Sequence, residues 1–182
     1  MNNTKPFPKL LVILPLILSL VLALLYWQGL TFDPNQAPSR LMAKPLPLFQ
    51  LPALEDGETL LSSKQVQGPA LINVWATWCA ACRNEHTQLL KISREAGVKV
   101  YGIDYQDDSE MAKQWLSSQG NPFKWVMRDT VAAMAGTLDI FSVPQTYVID
   151  AEGVVRYRHV GEITEPVWRA MQIALFDKSI SQ

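Results

Sequence analysis

Hydrophobic residues along the chain fall into one long run and a series of short ones. The long run, Leu10 to Leu30, contains no charged residue, and as a helix it would span about 32 Å, enough for the hydrocarbon core of a bilayer. The short runs follow residue 44, and each is bounded by polar residues, glycine or proline. The pattern therefore predicts a membrane-spanning segment followed by a separate folded domain.

The short runs alternate between strand-like and helix-like periodicity. We expect an α/β fold whose sheet carries helices on both faces. The predicted elements are an N-terminal hairpin (45–54 and 58–63), strand 70–75, a helix from Ala80 to Gly97, strand 98–104, helix 108–120, strand 123–129, a short helix at 130–140, a hairpin (145–150 and 154–161) and helix 165–177.

Charge around the long run sets its orientation. Lys5 and Lys9 precede it and Asp33 is the first charge after it, so the positive-inside tendency predicts export of everything beyond Leu30. A cleaved signal peptide is the alternative, but the run is longer than a signal's apolar region and lacks a following Ala-x-Ala site. We expect a cytoplasmic N-terminus (1–9), an anchor (10–30), a linker (31–44), the domain (45–177) and a tail (178–182).

Two cysteines are the only ones in the chain, Cys79 and Cys82. In an oxidising compartment such a pair tends to form a disulfide, yet a bridge across two residues removes little chain entropy and is a poor structural staple. The pair is better suited to exchanging electrons. A formal net charge of −1 gives no reason to expect nucleic acid as a partner.

The predicted strand-to-helix junction gives the pair its chemistry. Cys79 would lie exposed at the N-terminus of a helix, where unpaired N–H groups and the helix dipole favour the attacking thiolate. Cys82, one turn on and more buried, would resolve the mixed disulfide. Haem attachment would need His in place of Arg83, and zinc would need all of Cys79, Cys82, His86 and His159. We expect no metal and no organic cofactor.

Several stretches resemble a known family. "WATWCAAC" after a strand and "SVPQTYVID" further on are similar to the thioredoxin superfamily. "CRNEH", "VYGIDYQDD", "WLSSQGNPF", "PQTYVIDAEGVVRYRHVGEIT" and the anchor narrow the resemblance to the CcmG/DsbE family, over about residues 46–168. This family comprises membrane-tethered thiol:disulfide interchange proteins of cytochrome c maturation.

The resemblance implies a thioredoxin-like mixed sheet flanked by helices, with the hairpin and the transmembrane helix as N-terminal additions. It also implies a cis-proline loop beside the cysteines, in which Val143, Pro144, Gln145 and Thr146 bind substrate. The backbone of Val143 would pair with an incoming peptide as an added strand. Trp78, next to the nucleophile, would supply an aromatic contact for the same peptide.

The implied activity is reduction of disulfides in apocytochrome c, at its Cys-x-x-Cys-His haem site, or in its maturation partners. A membrane reductant of the DsbD type would recharge the Cys79–Cys82 disulfide. The domain would then face the periplasm from the bacterial inner membrane. Two departures from the family, Ala80-Ala81 for Pro-Thr and Gln145 for Glu, affect the expected reduction potential and not the reacting atoms.

Glu85 is the candidate proton shuttle. Thioredoxins carry a buried acid six residues before the first cysteine, and here that position is Asn73, which cannot titrate. Glu85, three residues after Cys82, matches the acid of the CcmG pattern and would lie beneath the site, unless it is a solvated helix residue.

Two other functions stay open at this point. A protein of the same fold could catalyse the opposite reaction as a thiol oxidase. The direction depends on the reduction potential, and a difference of about 30 mV corresponds to about 1.4 kcal/mol for a two-electron couple, which the sequence does not resolve. Alternatively, the domain could be a non-catalytic tethered module that binds haem or apocytochrome, with an incidental disulfide.

Overall fold

The computed structural model describes residues 9–30 and 39–176. The chain divides into two compact units, 1–37 and 38–182. The first contains one helix, α1 (Lys9–Leu30), in which side chains are described for residues 13–27. Within the described part of the chain, no helix is both long enough and apolar enough to cross a membrane. The membrane anchor at 10–30 therefore stays a prediction.

A five-stranded mixed sheet forms the centre of the second unit, in the order β5-β4-β3-β6-β7. β3, β4 and β5 are parallel, whereas β6 runs antiparallel to β3 and β7 antiparallel to β6. The strands are β3 (Ala70–Trp75), β4 (Lys99–Tyr105), β5 (Val126–Asp129), β6 (Gln145–Ile149) and β7 (Val155–Val160). These strands confirm the mixed sheet predicted from the sequence.

The apolar strand β3 occupies the middle of this sheet because both of its faces are covered. All six of its residues are buried, as expected of a strand with no polar alternation. Its last residue, Trp75, is in register with Asp104 of β4. The connection between β3 and the next helix therefore begins at the carboxyl end of the central strand.

One face of the sheet carries the three helices of this unit that the structure describes. They are α2 (Ala80–Glu95), α3 (Ser109–Gln119) and α4 (Glu165–Phe176). Their buried apolar residues all join one cluster with Leu71, Trp75, Val100 and Val148 of the strands. The prediction of helices on both faces is therefore wrong for the described residues.

The other face is covered by the N-terminal hairpin and by residues 130–140. The predicted hairpin is confirmed: β1 (Gln50–Pro52) and β2 (Leu60–Ser62) form a two-stranded antiparallel sheet, followed by a 3-10 turn at Ser63–Gln65. Phe49 and Leu51 from the hairpin region and Leu138 and Ile140 from the second segment pack on this face.

The predicted short helix at 130–140 is wrong. Ala132 and Asp139 have positive φ angles, 57° and 52°, and left-handed residues interrupt a right-handed helix. The backbone N–H groups of Ala133 and Met134 donate to the carboxylate of Asp129, at 2.7 and 2.9 Å. The segment is a series of turns held by these side-chain contacts.

Residues 39–44, expected to be linker, are attached to the second unit. The Arg40 guanidinium and the Ser39 hydroxyl both bond the Asp139 carboxylate. The backbone N–H of Ala43 donates to the carbonyl of Val155 at 2.9 Å. These six residues therefore belong with the domain. The remaining linker residues (31–38), residues 1–8 of the predicted N-terminus and 177–182 at the C-terminus lie outside the described residues.

Candidate active site

Cys79 occupies the N-cap of α2, directly after the turn that leaves β3. Its Sγ accepts a hydrogen bond from the backbone N–H of Cys82 at 3.1 Å. This is one of the N–H groups that a helix start leaves without an intrahelical partner. The predicted strand-to-helix junction is confirmed, and with it the positive electrostatic environment of the Cys79 sulfur.

Cys79 and Cys82 form a disulfide, with their Cα atoms 5.3 Å apart. Cys79 is 6% exposed and Cys82 is 3% exposed, so the order of exposure is as predicted. The expectation of an openly exposed Cys79 is wrong for this oxidised form. Both residues pack into the cluster under α2, and Val143 packs against the same cluster.

The turn before Cys79 is held from outside by side chains of other elements. The Asp107 carboxylate accepts hydrogen bonds from the Thr77 backbone N–H and, at 2.8 Å, from its hydroxyl. The Arg83 guanidinium donates to the Thr77 carbonyl at 2.6 Å. Thr77 is therefore bound through its donors and its acceptor, which fixes the position of the chain two residues before Cys79.

Trp78 presents its indole ring to solvent beside the disulfide. The residue is 57% exposed, although its Nε1–H donates to the carbonyl of Gln106 at 3.1 Å. That hydrogen bond orients the ring while leaving an apolar surface open. The arrangement favours the predicted contact with a substrate, because a ring in the core would be covered by other side chains.

Glu85 is buried, so the alternative of a solvated helix residue is wrong. Its Oε1 accepts from Nδ2 of Asn73 and its Oε2 from the backbone N–H of Ile163, both at 2.8 Å. Burial raises the pKa of Glu85 to about 7, the two hydrogen bonds oppose that rise, and the charge of Glu162 adds to it. A carboxyl group in this range can both take up and release a proton near neutral pH.

Asn73 links Glu85 to the strand that follows the cis-proline loop. Its Nδ2 also donates to the Thr146 hydroxyl at 3.0 Å, while its Oδ1 has no hydrogen-bond partner among the described residues. Asn73 therefore acts as a donor that holds Glu85, in the position where thioredoxins carry an acid.

The Val143–Pro144 peptide bond is cis, as the resemblance implies. Pro144 is buried and its carbonyl accepts from the backbone N–H of Gly161 at 2.9 Å, whereas Val143 is half-buried. No hydrogen bond to the Val143 backbone is found within residues 39–176. Its N–H and carbonyl are thus available to another chain. The Gly68–Pro69 bond is also cis, and nothing in the sequence around it indicates this.

Gln145 and Thr146 are placed differently from the prediction of substrate binding. Both side chains are fully buried, and both residues pair with β3 on one side and β7 on the other. The Gln145 side chain donates to the Asp139 carbonyl at 3.2 Å and contacts the Tyr147 hydroxyl. Strand pairing and burial leave neither side chain accessible in this form, so substrate contact by Gln145 and Thr146 stays a prediction that the geometry does not favour.

Three further residues change the sequence-based description. His86, which the sequence offered only as a possible zinc ligand, is buried, with Nε2 3.0 Å from the Gly120 carbonyl and its ring 4.2 Å from that of Trp115. Asp108 caps α3, as its position before a helix suggests, but Asp107 holds Thr77 instead. Among the described residues, no three or more His, Cys, Asp or Glu side chains are grouped to hold a metal ion.

Comparison with known proteins agrees with this geometry. The Redoxin family profile matches residues 42–172. The chain is 43% identical over 159 residues to the thiol:disulfide interchange protein DsbE of Pseudomonas fluorescens biotype C, covering 87% of this chain and 89% of the relative. It is 37% identical to the DsbE protein of Pseudomonas aeruginosa, covering 96% of this chain and 97% of the relative.

A solved structure supports the same fold. The crystal structure of a thiol:disulfide interchange protein of the thioredoxin family from Chlorobium tepidum aligns with a TM-score of 0.59 and 28% identity, covering 76% of this chain and 99% of that one. The fold is thioredoxin-like, and the paired cysteines at a helix N-terminus make the protein a thiol:disulfide oxidoreductase. The chain belongs to the Redoxin family and, within it, to the DsbE (CcmG) family of thiol:disulfide interchange proteins.

Proposed function

We propose that this protein reduces disulfides of apocytochrome c, or of its maturation partners, during cytochrome c biogenesis. The observation that carries the exchange chemistry is the position of Cys79: its sulfur caps α2 and accepts a hydrogen bond from the Cys82 N–H. A sulfur in this position is stabilised as a thiolate, which is the attacking species in disulfide exchange. The choice of client rests on the DsbE family and its part in cytochrome c maturation.

The reaction has two exchange steps. The Cys79 thiolate attacks one sulfur of the substrate disulfide, forming a mixed disulfide and releasing the other substrate sulfur as a thiolate. Cys82 then loses its proton and attacks the Cys79 sulfur, which releases the second substrate thiolate. Two electrons pass to the substrate, and the Cys79–Cys82 disulfide is the oxidised product.

Glu85 is the proposed acceptor of the Cys82 proton. It is one helical turn after Cys82 on α2, it is buried, and burial brings its pKa to about 7. A base is most effective when its pKa is near the working pH. The hydrogen bonds from Asn73 and Ile163 stabilise the carboxylate that exists before the proton arrives.

Val143, Pro144 and Trp78 form the proposed peptide-binding surface. Val143 offers a backbone N–H and carbonyl that have no hydrogen-bond partner among the described residues, directly before β6, and these groups could pair with a substrate peptide as a further strand. The exposed Trp78 ring supplies apolar contact area on the approach to Cys79. Together they would align a substrate backbone beside the disulfide.

The proposed location is the periplasmic face of the bacterial inner membrane. An uncharged run of 21 residues, Leu10 to Leu30, precedes the domain and supports a single membrane anchor with residues 1–9 in the cytoplasm. A DsbD-type reductant in the same membrane would return electrons to Cys79 and Cys82. Residues 31–38 would connect the anchor to the domain, which we assign to residues 39–177.

Trapping of a mixed disulfide tests the exchange mechanism and the client together. Cys82→Ser should accumulate a disulfide between Cys79 and a peptide that contains oxidised Cys-x-x-Cys-His, because the resolving thiol is absent. The matched variant Cys79→Ser should trap nothing. Absence of the adduct in Cys82→Ser would contradict the mechanism. Equal trapping of a peptide with His replaced by Ala, and of unrelated disulfides, would contradict the choice of client.

A redox titration of the full domain against glutathione fixes the direction. A reductant is expected to have a potential well below that of the strong periplasmic oxidant DsbA, about −120 mV. A strongly oxidising value would favour the thiol oxidase instead.

A further inference from the structure

The turn that carries Cys79 depends on a carboxylate that accepts three hydrogen bonds. Asp107 binds the Thr77 N–H and hydroxyl, and the backbone N–H of Asp108 donates to its Oδ1 at 2.8 Å. Three donors directed at one carboxyl group suit its ionised form, which has no proton of its own to place. Asp107 is therefore the hydrogen-bond acceptor that holds this turn.

Asp104 is a second carboxyl group at the same place, and its environment is the opposite. It lies at the end of β4, in register with Trp75, just below the turn. It is 1% exposed, and neither of its carboxyl oxygens accepts a hydrogen bond within the described part of the chain. A buried carboxylate with no donor is strongly disfavoured, so the group keeps its proton.

Electrostatics supports the same assignment of the proton. The pKa of Asp104 is raised to about 8, first by burial and then by the charge of Asp107, by a hydrogen bond from the acid to Asp107, and by the charge of Asp108. Two adjacent carboxyl groups share a proton more readily than they both ionise.

We propose that Asp104 is a positioning residue: as a carboxylic acid it donates a hydrogen bond to Asp107 and so orients the carboxylate that fixes Thr77 ahead of Cys79. The pair holds one proton, and it resides on Asp104 because Asp107 already accepts three hydrogen bonds. Ionisation of Asp104 removes its donor and places a second negative charge beside Asp107. The turn is then less firmly held, and Thr77 is the first group to respond.

Other charged groups on the surrounding elements are engaged elsewhere. Arg128 of β5 is in register with Asp104, but its guanidinium donates to the Gly57 carbonyl at 3.1 Å. On α2, Arg83 donates to the Thr77 carbonyl. On α3, Asp108 is the other charge that acts on Asp104, and Glu110 is paired with Lys113 at 2.8 Å. On α2, Glu85 accepts from Asn73 and Ile163, and Nε2 of His86 lies 3.0 Å from the Gly120 carbonyl.

Carboxyl-carbon NMR of the oxidised protein tests the pair directly, since the disulfide keeps both cysteines from titrating. In the unmodified protein labelled at aspartate, the Asp104 carboxyl resonance is expected to titrate with a midpoint near 8, and the Thr77 amide resonance to follow the same midpoint. A midpoint below 6, which an ion pair with Arg128 would produce, overturns the proposal. A Thr77 amide that is unchanged between pH 6 and 10 overturns it as well.

Two substitutions separate the hydrogen bond from simple packing. Asp104→Asn retains a donor toward Asp107 but cannot titrate, so Thr77 should keep its low-pH resonance position and lose the inflection. Asp104→Ala loses the donor and should shift the Thr77 resonance already at pH 6. An inflection that persists in Asp104→Asn overturns the assignment.

Asp108→Asn is the matched control, because asparagine also caps helices. It should keep the inflection with a slightly lower midpoint, since one neighbouring charge is gone. Loss of the inflection in this control would assign the titration to Asp108 and overturn the proposal. These measurements use only the disulfide form, so they stand or fall independently of the client proposed above.

Discussion

Two carboxyl groups are buried on the helix-covered side of the sheet, and they differ in their hydrogen-bond donors and in their nearest charge. Glu85, under the cysteines, receives hydrogen bonds from Asn73 and Ile163. Asp104, under the turn, receives none within the described residues and has Asp107 beside it. Burial raises the pKa of both, to about 7 for Glu85 and to about 8 for Asp104. Similar burial thus yields a group ready to exchange protons in one place and a neutral group in the other.

The largest expected difference is in stability. Glu85→Leu leaves two buried N–H donors without an acceptor and is expected to lower the free energy of unfolding by about 3 kcal/mol. Asp104→Leu strands no such donor and is expected to change it by less than about 1 kcal/mol. Urea unfolding of both variants at pH 4 measures the difference, because at that pH neither Glu85 nor Asp104 has to take up much of a proton on folding. Equal losses would show that the donors do not distinguish the two sites.

The next effect is on the rate of the second exchange step. Glu85→Gln cannot accept a proton from Cys82 and is expected to slow release of the second thiol about 100-fold at pH 7. A chromogenic aromatic disulfide followed by stopped-flow absorbance resolves the two releases. Glu162→Gln, which removes a nearby charge and no hydrogen bond to Glu85, is the control and should stay close to the unmodified rate. An unchanged second phase in Glu85→Gln would remove Glu85 from the mechanism.

The pH dependence of stability is expected to show both groups. Each has a folded-state pKa above its unfolded value, so the folded state holds an extra proton between the two values. The stability that each contributes is complete below about pH 4 and falls as pH rises, by at most about 1.4 kcal/mol per pH unit for each group. The loss should end near pH 7 for Glu85 and near pH 8 for Asp104.

Urea unfolding in the oxidised state, from pH 4 to 9, measures this slope. Asp104→Asn should reduce the slope over the whole window from about pH 4 to 8 and remove the part between pH 7 and 8, whereas Glu85→Gln should reduce the slope only up to about pH 7. Stability that rises across this range in the unmodified protein would contradict the direction of both shifts.

The smallest expected effect is a rise in the pKa of Glu85 toward that of Asp104. Asn73→Ala removes a donor that lowers the pKa of Glu85, so that pKa is expected to rise by about one unit. Carboxyl-carbon NMR measures the change. Thr146→Val is the matched control, because it removes only the other contact of Asn73. A shift of the same size in both variants would mean that packing, and not the hydrogen bond to Glu85, sets the value.

The sequence identified the elements around the site because they depend on local pattern. An apolar run, an N-terminal cysteine and a closing glycine were enough to place β3 and α2. Glu85 was found through the resemblance to the CcmG pattern, which carries an acid three residues after the second cysteine. The same spacing also carried a signal for His86, since 82, 85, 86, 89 and 92 lie on one face of α2, and that face is the buried one.

What the sequence missed depends on contacts between distant segments. Asp104 is the last residue of the predicted strand 98–104, a position at which aspartates are often exposed, and only its register with Trp75 and its cover by helices on one face bury it. Gln145 was expected at the substrate surface because it follows Pro144, but pairing on both strand edges encloses it. The 130–140 segment has helical composition, and its contacts with Asp129 and Tyr147 determine its turns.

The attachment of Ser39 and Arg40 to Asp139 also has a mechanical consequence. A force applied to the chain before residue 39 would act first on these contacts. It would be transmitted to the 130–140 segment through Asp139 and to β7 through the hydrogen bond between Ala43 and Val155. Asp139 and Val155, the residues that receive this force, are remote in sequence from α2, which packs on the other side of the sheet. If residues 10–30 anchor the chain in a membrane, as proposed, tension from that anchor would not be transmitted directly along α2, the helix that holds the sulfurs, while a partner binds the disulfide.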